Sequence, residues 1–380
     1  MTTALVNARV LTAQGWRDDV AVVVDGGRIL ELVASDGIAF GTEVRDLGGR
    51  MLLPGFIDCQ VNGGGGVLFN DQPTVEGIRA IGEAHRRFGT TGFLPTLISD
   101  TSEKMQAAIA AVGAAIGEGV PGVLGIHLEG PFLSREKRGV HAEQFLHAPD
   151  SVELQTAASL QRGLTLLTLA PERVDPEAIR GLAERGVIIA AGHSNADHDT
   201  VRAALDAGVR GFTHLFNAMS PLASRAPGMV GAALDHAESW CGVIADGHHV
   251  HPAAIRIALK AKPRGKIFFV TDAMPPVGAD DPSFTLGGET ITARDGICQT
   301  ANGTLAGSAL SMIEAIRNAV TMLGVPLEEA ARMASTYPAN FLGLGDTHGR
   351  IAPGCRANFT VIDAELRVTE TWIDGVPQAN

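Results

Sequence analysis

The sequence has few of the features that mark secreted or membrane proteins. Its four cysteines, Cys59, Cys241, Cys298 and Cys355, lie far apart and form no CxxC pair, a pattern typical of free thiols in a reducing cytosol. No apolar run approaches the ~20 residues that a membrane-spanning helix needs. The N-terminus, MTTALVNARV, lacks the basic and apolar regions of a signal peptide. These absences together predict a cytoplasmic protein.

Positive charge is also scarce. The chain has 30 Lys and Arg against 42 Asp and Glu, which gives a formal net charge of -12. This balance disfavours nucleic acid as a partner, because proteins neutralise its phosphates mainly with Lys and Arg. An anionic small-molecule substrate would need its own local positive site.

The length and composition fit one large domain with a smaller satellite. The chain has 380 residues, of which 45% are hydrophobic. Short strand patterns between Gly and Asp turns fill the first fifty residues and the last thirty. We therefore expect residues 1–52 and 350–380 to form one small β-sandwich domain, with a catalytic domain at 53–349 between them.

The central part alternates apolar strands with helical segments, which predicts a (β/α)₈ TIM-type barrel rather than an open sheet. The predicted strands are 52–60, 92–98, 123–129, 164–170, 187–193, 211–216, 240–246 and 266–272. The predicted helices are 74–88, 101–118, 175–185, 196–207, 252–261 and 308–323, whereas 217–239 begins as a long loop.

Several of these strands end in a residue able to do chemistry. All strand carboxyl ends of a barrel meet on one face, which carries the active site. A single histidine there fits a hydrogen-bonded core residue equally well, but convergence of several such residues favours a site. The residues concerned are Gln60, Glu129, His193, His214, Asp246 and Asp272.

Two imidazoles and one carboxylate among them match a catalytic zinc site. Glu129, His193 and His214 supply three ligands, and no basic residue accompanies Glu129 in GIHLEGPF as a salt-bridge partner. Asp272 follows the apolar strand KIFFVT, where a buried charge is costly unless it is paired or functional. We predict that Asp272 takes a proton from water and passes it to a leaving group.

The stretch PGFIDCQVNGGGG lacks the HxH pair of a two-metal site. Gln60 and Asn62 face the same side of the strand, where two histidines would be expected. The four glycines that follow lack the GK[ST] ending of a phosphate-binding loop, so they are interpreted as a flexible turn.

Five motifs together resemble the N-acetylglucosamine-6-phosphate deacetylase family of the amidohydrolase superfamily. They are IHLEGPF, GHSNAD, THLFNAMSPLASRAPG, ADGHHVHP and VTDAM. The resemblance covers nearly the whole chain. It implies a (β/α)₈ barrel with a small β domain from both chain ends. It also implies hydrolysis of N-acetyl-D-glucosamine 6-phosphate to D-glucosamine 6-phosphate and acetate, in amino-sugar catabolism and cell-wall recycling.

The resemblance also assigns the catalytic residues and the metal. Glu129, His193 and His214 match the family's metal ligands, and Asp272 matches its catalytic aspartate. Members with a glutamine and an asparagine at the HxH positions imply that Gln60 and Asn62 are the remnant of a second site. One divalent metal per subunit is expected: zinc, with Fe²⁺, Co²⁺ and Mn²⁺ as alternatives.

Five further positions match substrate contacts of the family. His141 matches a histidine that hydrogen-bonds the acetamide carbonyl, although alone it would be interpreted as a solvated loop residue. Asn217, Ala218 and Arg225 match phosphate and sugar contacts. His249 matches a histidine that completes the neighbouring subunit's site, which implies a homodimer.

Two other functions stay open on the sequence. One is an amidohydrolase acting on a cyclic amide or a nucleobase, which the string ASRAPG and the missing HxH disfavour. The other is a non-catalytic scaffold of the same fold, which would be expected to have lost its ligands. The sequence does not distinguish between the glucosamine and galactosamine epimers as substrates.

Overall fold

The computed structural model of the chain describes residues 2–379, and most of its strands belong to two large sheets. In chain order the strands are β1 (Thr3–Thr12), β2 (Gly15–Arg17), β3 (Val20–Asp25), β4 (Arg28–Ala34), β5 (Glu43–Pro54), β6 (Phe56–Val61), β7 (Gly63–Gly64), β8 (Val67–Leu68), β9 (Thr90–Ile98), β10 (Gly125–Glu129), β11 (Leu164–Leu169), β12 (Ile188–Ala191), β13 (Val209–Phe212), β14 (Trp240–Val243), β15 (Ile267–Phe269), β16 (Ser283–Leu286), β17 (Glu289–Thr292), β18 (Ile297–Gln299), β19 (Leu305–Ser308), β20 (Phe359–Ile362), β21 (Val368–Ile373) and β22 (Val376–Ala379).

The helices alternate with the strands of the central region. They are α1 (Val75–Arg86), α2 (Ser102–Gly117), α3 (Ser151–Ala157), α4 (Pro176–Glu184), α5 (His198–Ala207), α6 (Gly228–Asp235), α7 (Pro252–Ala261), α8 (Met312–Asn318), α9 (Leu327–Ala334) and α10 (Thr336–Phe341). A π-helical turn, Ala319–Leu323, continues α8. Among residues 2–379, none of the helices combines the length and the apolar character that a membrane crossing requires.

Eight parallel strands form the barrel, in the order β15-β14-β13-β12-β11-β10-β9-β6. Every residue of β6 and of β10 is buried, as expected for strands covered by helices on one side and packed side chains on the other. The predicted (β/α)₈ class is confirmed. The predicted strand 52–60 is divided at Gly55, since Leu52–Pro54 end β5 and Phe56 begins β6. A side chain at Gly55 would lie 2.2 Å from Thr91 Oγ1, so only glycine fits there.

Strands from both ends of the chain form the second large sheet. Its order is β22-β21-β20-β5-β1-β3-β4, with β2 paired to β1. Side chains of its strands form a separate apolar cluster, which includes Val22, Leu52, Phe359 and Trp372. Both chain ends therefore contribute to one β unit, while the domain limits at 52 and 350 stay a prediction.

The first and last barrel strands meet at a seam without a continuous ladder between β6 and β15 in the described residues. The chain just after β15 supplies the contacts instead. The Asp272 N–H donates to Gln60 O over 3.0 Å, and the Asn62 and Gly63 N–H groups each donate to Ala273 O over 2.9 Å. This seam brings the end of β6 beside Asp272.

Two small hairpins, β16-β17 and β18-β19, follow the last barrel strand. They pack around a small apolar cluster that includes Met274, Phe284 and Cys298. Their residues Leu286, Thr304 and Leu305 line the pocket at the carboxyl ends of the barrel strands, so we call residues 283–308 the covering segment.

Candidate active site

Three buried side chains converge where β10, β12 and β13 end. Glu129 is the last residue of β10, while His193 and His214 follow β12 and β13. Glu129 Oε1 lies 3.2 Å from His193 Nε2 and 3.0 Å from His214 Nε2, and the two Nε2 atoms are 3.0 Å apart. The strands β12, β13 and β15 end earlier than predicted. His193, His214 and Asp272, which follow them, have φ angles of 47°, 34° and 53°, which do not occur in extended strand.

This cluster fits a divalent metal ion. The Nδ1–H of His193 donates to Lys137 O over 2.8 Å, which leaves the Nε2 lone pair of the neutral ring directed at Glu129. Burial opposes ionisation, but contacts with His193 and His214 hold the pKa of the Glu129 carboxyl well below its usual range. Two imidazole nitrogens beside an ionised carboxylate are the donor set of a His₂Glu metal site, and their ligand atoms lie within 4.8 Å of one another.

Asp272 lies beside this cluster as a buried carboxylate. Its Oδ1 accepts hydrogen bonds from Gln60 Nε2 over 3.0 Å and from Asn62 Nδ2 over 2.6 Å. Burial, together with the charge of Glu129, raises the pKa of Asp272 to about 6. A carboxylate with a pKa near neutrality is suited to accept and return a proton.

Gln60 bridges the Glu129 and Asp272 carboxylates, and Asn62 contacts Asp272. Gln60 Nε2 donates to Glu129 Oε1 over 3.1 Å as well as to Asp272. Both residues are 2% exposed, and their amide oxygens have no hydrogen-bond partner among the described residues. The Gln60 amide N–H group therefore stands between two negative groups, and the Asn62 amide adds a second donor to Asp272.

His141 is buried beside the metal cluster, not solvated as its loop position alone would indicate. Its ring is 4.5 Å from that of His193, centroid to centroid. Ser99 N donates to its Nδ1 over 3.3 Å, so the proton of the neutral ring is on Nε2. Burial lowers the pKa of His141 to about 3, which keeps the ring neutral and its Nε2–H available to a carbonyl oxygen.

The pocket above these residues has a volume of about 220 Å³. Asn217, Ala218 and His249 line it together with the metal cluster, His141 and Asp272. A larger groove of about 650 Å³ lies between α2 and α3, but Arg162 is the one charged residue among those that line it. The smaller pocket therefore holds the chemistry.

His249 lies in the pocket of its own chain, whereas the sequence analysis assigns it to the neighbouring subunit's site. The cause is the turn after β14, where the Asp246 carboxylate accepts from the backbone N–H groups of His248 and His249 over 2.8 and 2.9 Å. Asp246 Oδ2 also accepts from His249 Nδ1 over 2.6 Å. This pair turns the imidazole inward, towards the pocket of its own chain.

Arg225, by contrast, does not line this pocket. It is exposed on the loop before α6 and lines a separate cleft of about 620 Å³ with Asn195, Asp197 and His198. A single chain therefore holds every predicted site residue around the pocket except Arg225.

Three buried residues next to the site are not identified by the sequence analysis. They are Asp58, Thr271 and Ser308. Thr271, just after β15, is hydrogen-bonded both to Asp58 of β6 and to Ser308 of β19. The sequence did contain one signal for Asp58: it is an acidic residue in the mostly apolar segment GFIDCQV.

Comparison with known proteins agrees with this geometry. Residues 51–377 match the amidohydrolase family model. The chain is 44% identical to an N-acetylgalactosamine-6-phosphate deacetylase of Shewanella sp. (strain ANA-3), over 97% of this chain and 94% of that one. It is 36% identical to an N-acetylglucosamine-6-phosphate deacetylase of Haemophilus influenzae, over 99% of both. The crystal structure of N-acetylglucosamine-6-phosphate deacetylase from Pasteurella multocida superposes with a TM-score of 0.97 and 38% identity, over 100% of both chains.

Proposed function

The chain belongs to the amidohydrolase family, and from that premise we propose that it hydrolyses the acetamide of N-acetyl-D-glucosamine 6-phosphate. The products are D-glucosamine 6-phosphate and acetate. One observation carries this proposal: a buried His₂Glu cluster, a carboxylate with a raised pKa and a neutral histidine donor share one pocket. The reaction is assigned to cytoplasmic amino-sugar catabolism and cell-wall recycling.

Glu129, His193 and His214 would hold one divalent ion per subunit. Zinc suits two imidazoles and one carboxylate, although Fe²⁺, Co²⁺ and Mn²⁺ accept the same ligands. When bound, such an ion polarises a carbonyl and lowers the pKa of a water molecule.

Asp272 and His141 divide the proton transfer and the charge stabilisation. The Asp272 carboxylate removes a proton from the attacking water molecule while the water oxygen forms a bond to the acetamide carbon. The His141 Nε2–H donates to the carbonyl oxygen as negative charge develops on it. Asp272 then delivers the proton to the sugar nitrogen as the C–N bond breaks, so the amine leaves without negative charge.

The phosphate end of the substrate would lie towards Asn217, Ala218 and His249. These residues line the pocket with the catalytic groups. We assign Arg225 to the same phosphate in a homodimer, supplied by the loop of the neighbouring subunit. Its exposure and its position outside its own pocket support this assignment, and arginine is suited to bidentate contacts with phosphate.

N-acetyl-D-galactosamine 6-phosphate is a second candidate substrate. The relative from Shewanella, at 44% identity, carries that activity in its name. The two sugars differ at a single hydroxyl, so contacts to that hydroxyl decide between them.

A deacetylation assay tests these proposals. Acetate release would be compared for N-acetylglucosamine and N-acetylgalactosamine, each with and without the 6-phosphate. We expect the highest kcat/KM with N-acetylglucosamine 6-phosphate and a large loss without the phosphate. Preference for the galacto epimer would select the second candidate. Hydrolysis of a cyclic amide or a nucleobase, with none of the four sugars cleaved, would refute the deacetylase assignment.

A further inference from the structure

Asp58 is a carboxylate in the middle of a buried strand, and the catalytic steps above make no use of it. Its side chain is 0% exposed. Among residues 2–379, the hydrogen bonds to it come from neutral groups: Gln60 N and Thr271 N each donate to Oδ1 over 3.2 Å, and the Thr271 hydroxyl to Oδ2 over 2.5 Å. A buried carboxylate is costly unless such bonds compensate for lost water. Asp58 is on β6 and Thr271 follows β15, so these contacts cross the barrel seam.

Ser308 holds the same segment from the opposite side. Its hydroxyl donates to Thr271 O over 2.6 Å, and its N–H donates to Asp272 O over 2.9 Å. The Met274 N–H donates back to Ser308 O over 2.9 Å. Residues 271–274 are therefore fixed between the first barrel strand and the end of the covering segment.

The residue fixed at the centre of this arrangement is Asp272. Its φ of 53° is in the left-handed region, which is unfavourable for a residue with a side chain and persists only where the surroundings enforce it. The Asp272 N–H is bound by Gln60 O and its carbonyl by Ser308 N. Both backbone groups of Asp272 are thus fixed by the two elements that Asp58 and Ser308 occupy.

We propose that Asp58, Thr271 and Ser308 form a hydrogen-bonded latch across the barrel seam that positions the Asp272 carboxylate for proton transfer. The three are positioning residues, since they act through the backbone of residues 271 to 273. This inference rests on the proposed function, in which Asp272 is the proton acceptor.

Thr271→Val tests the latch by removing one hydroxyl while keeping the shape. The matched control is Thr360→Val, because Thr360 is also 0% exposed and its hydroxyl donates to Gly89 O over 2.7 Å, away from the pocket. We expect Thr271→Val to lower kcat about 10- to 100-fold, the scale expected for misplacing a catalytic group by about 1 Å. KM and bound metal should stay as in the wild type, and Thr271→Ser should restore kcat. Thr360→Val should lower Tm and leave kcat unchanged.

Asp272→Asn in the same assay separates failure of the latch from failure of the proposed function. If Asp272→Asn keeps near-normal turnover with metal bound, its role as proton acceptor is wrong. If Asp272→Asn is inactive but Thr271→Val turns over as fast as Thr360→Val, the latch is refuted. Should Thr271→Val not fold, Ser308→Ala decides the outcome, because it removes the bond to Thr271 O and keeps the backbone bond to Asp272.

Discussion

The amide side chains of Gln60 and Asn62 bear most directly on how many metal ions the site holds. Both side chains donate N–H hydrogen bonds to the Asp272 carboxylate, and Gln60 also donates one to Glu129. Partial positive charge therefore already offsets the repulsion between these two carboxylates. A neutral amide is also a weaker metal ligand than imidazole or carboxylate.

We therefore expect about one tightly bound divalent metal per subunit. Elemental analysis of the purified protein, with activity followed as the ion is removed and restored, measures this. Activity should track the single occupancy, and the double variant Gln60→His/Asn62→His should gain a second ion without requiring it. Two tight ions in the unmodified protein, with activity lost on removing the second, would contradict this expectation.

His85 should make the protein less stable in mild acid. Its ring is 0% exposed, its Nε2–H donates to Gly63 O over 2.9 Å, and burial lowers the pKa of His85 to about 4. The unfolded state, with a pKa near 6.5, binds the proton more readily. The contribution of His85 to the free energy of unfolding is therefore fully present above about pH 6.5, and it is lost as the pH falls towards 4.

Urea unfolding of the wild type and of His85→Gln between pH 7 and 4 measures this effect. Glutamine keeps an N–H donor and removes the titration. The wild type should lose roughly 3 kcal/mol more than the variant over this range. Parallel stability curves would show that His85 is protonated equally well in both states.

The site residues could be predicted from the sequence where a residue with a reactive side chain lies at the end of a predicted strand. Glu129, His193, His214 and Asp272 follow or end apolar strands, and barrel topology brings such positions together. The latch was not predictable in this way. Thr271 and Ser308 are ordinary polar residues whose importance depends on contacts between distant strands. Arg225 was placed at the substrate by motif alone, and the structure puts it outside the pocket of its own chain.

At the scale of elements, alanine substitutions in the covering segment can show how tightly the backbone of Asp272 is held. Gly307 has a φ of +63°, and a Cβ there would lie 2.5 Å from Met274 Cγ and 2.8 Å from Asp272 O. Gly303, in the same segment, has a φ of +83° with open space around it. Alanine at either position carries backbone strain, but only at Gly307 does it press on the Asp272 backbone.

Gly307→Ala should therefore lower kcat at least ~10-fold, because it displaces Asp272. Gly303→Ala should lose about 1 kcal/mol of stability and keep its turnover. Steady-state kinetics and thermal unfolding of the two variants provide the comparison. Equal turnover in both variants would show that this end of the covering segment yields without moving the base.

Arg225 should affect binding of the phosphate and not the chemical step. Arg225→Ala is expected to raise KM for the phosphorylated sugar strongly, while the poor activity on unphosphorylated N-acetylglucosamine hardly changes. The unphosphorylated sugar is the internal control. Equal losses on both substrates would indicate that Arg225 supports the loop structure.

Element limits were less predictable than element identity. The predicted helix 252–261 matches α7, but 308–323 becomes α8 at Met312 and then a π-helical turn. The strand before His214 ends at Phe212, because the left-handed backbone at His214 cannot continue it. Such endings depend on contacts with neighbouring strands, which local propensity does not contain.

At the scale of the whole molecule, mixing two impaired variants distinguishes residues that act within one chain from residues that act across an interface. Asp272→Asn combined with Arg225→Ala should recover activity on phosphorylated substrate after subunit exchange, because one site of a mixed dimer has both residues. Asp272→Asn combined with His249→Ala should stay inactive, because His249 lines its own pocket. Recovery of activity in the second mixture would show that His249 contributes to the site of the neighbouring subunit. A fully active monomer would exclude a shared site.

The pairing of β5 with β20 also has a consequence for synthesis of the chain. Leu53 pairs with Thr360, so about three hundred residues separate the two partners. On the ribosome, β5 is complete long before its neighbour exists, and the edge that carries buried Leu52 and Leu53 stays without its final strand until almost the whole chain has emerged. Unpaired apolar edges are sites of aggregation, and such distant pairings form slowly. We therefore expect misassembly of the nascent protein mainly before its last strands are made.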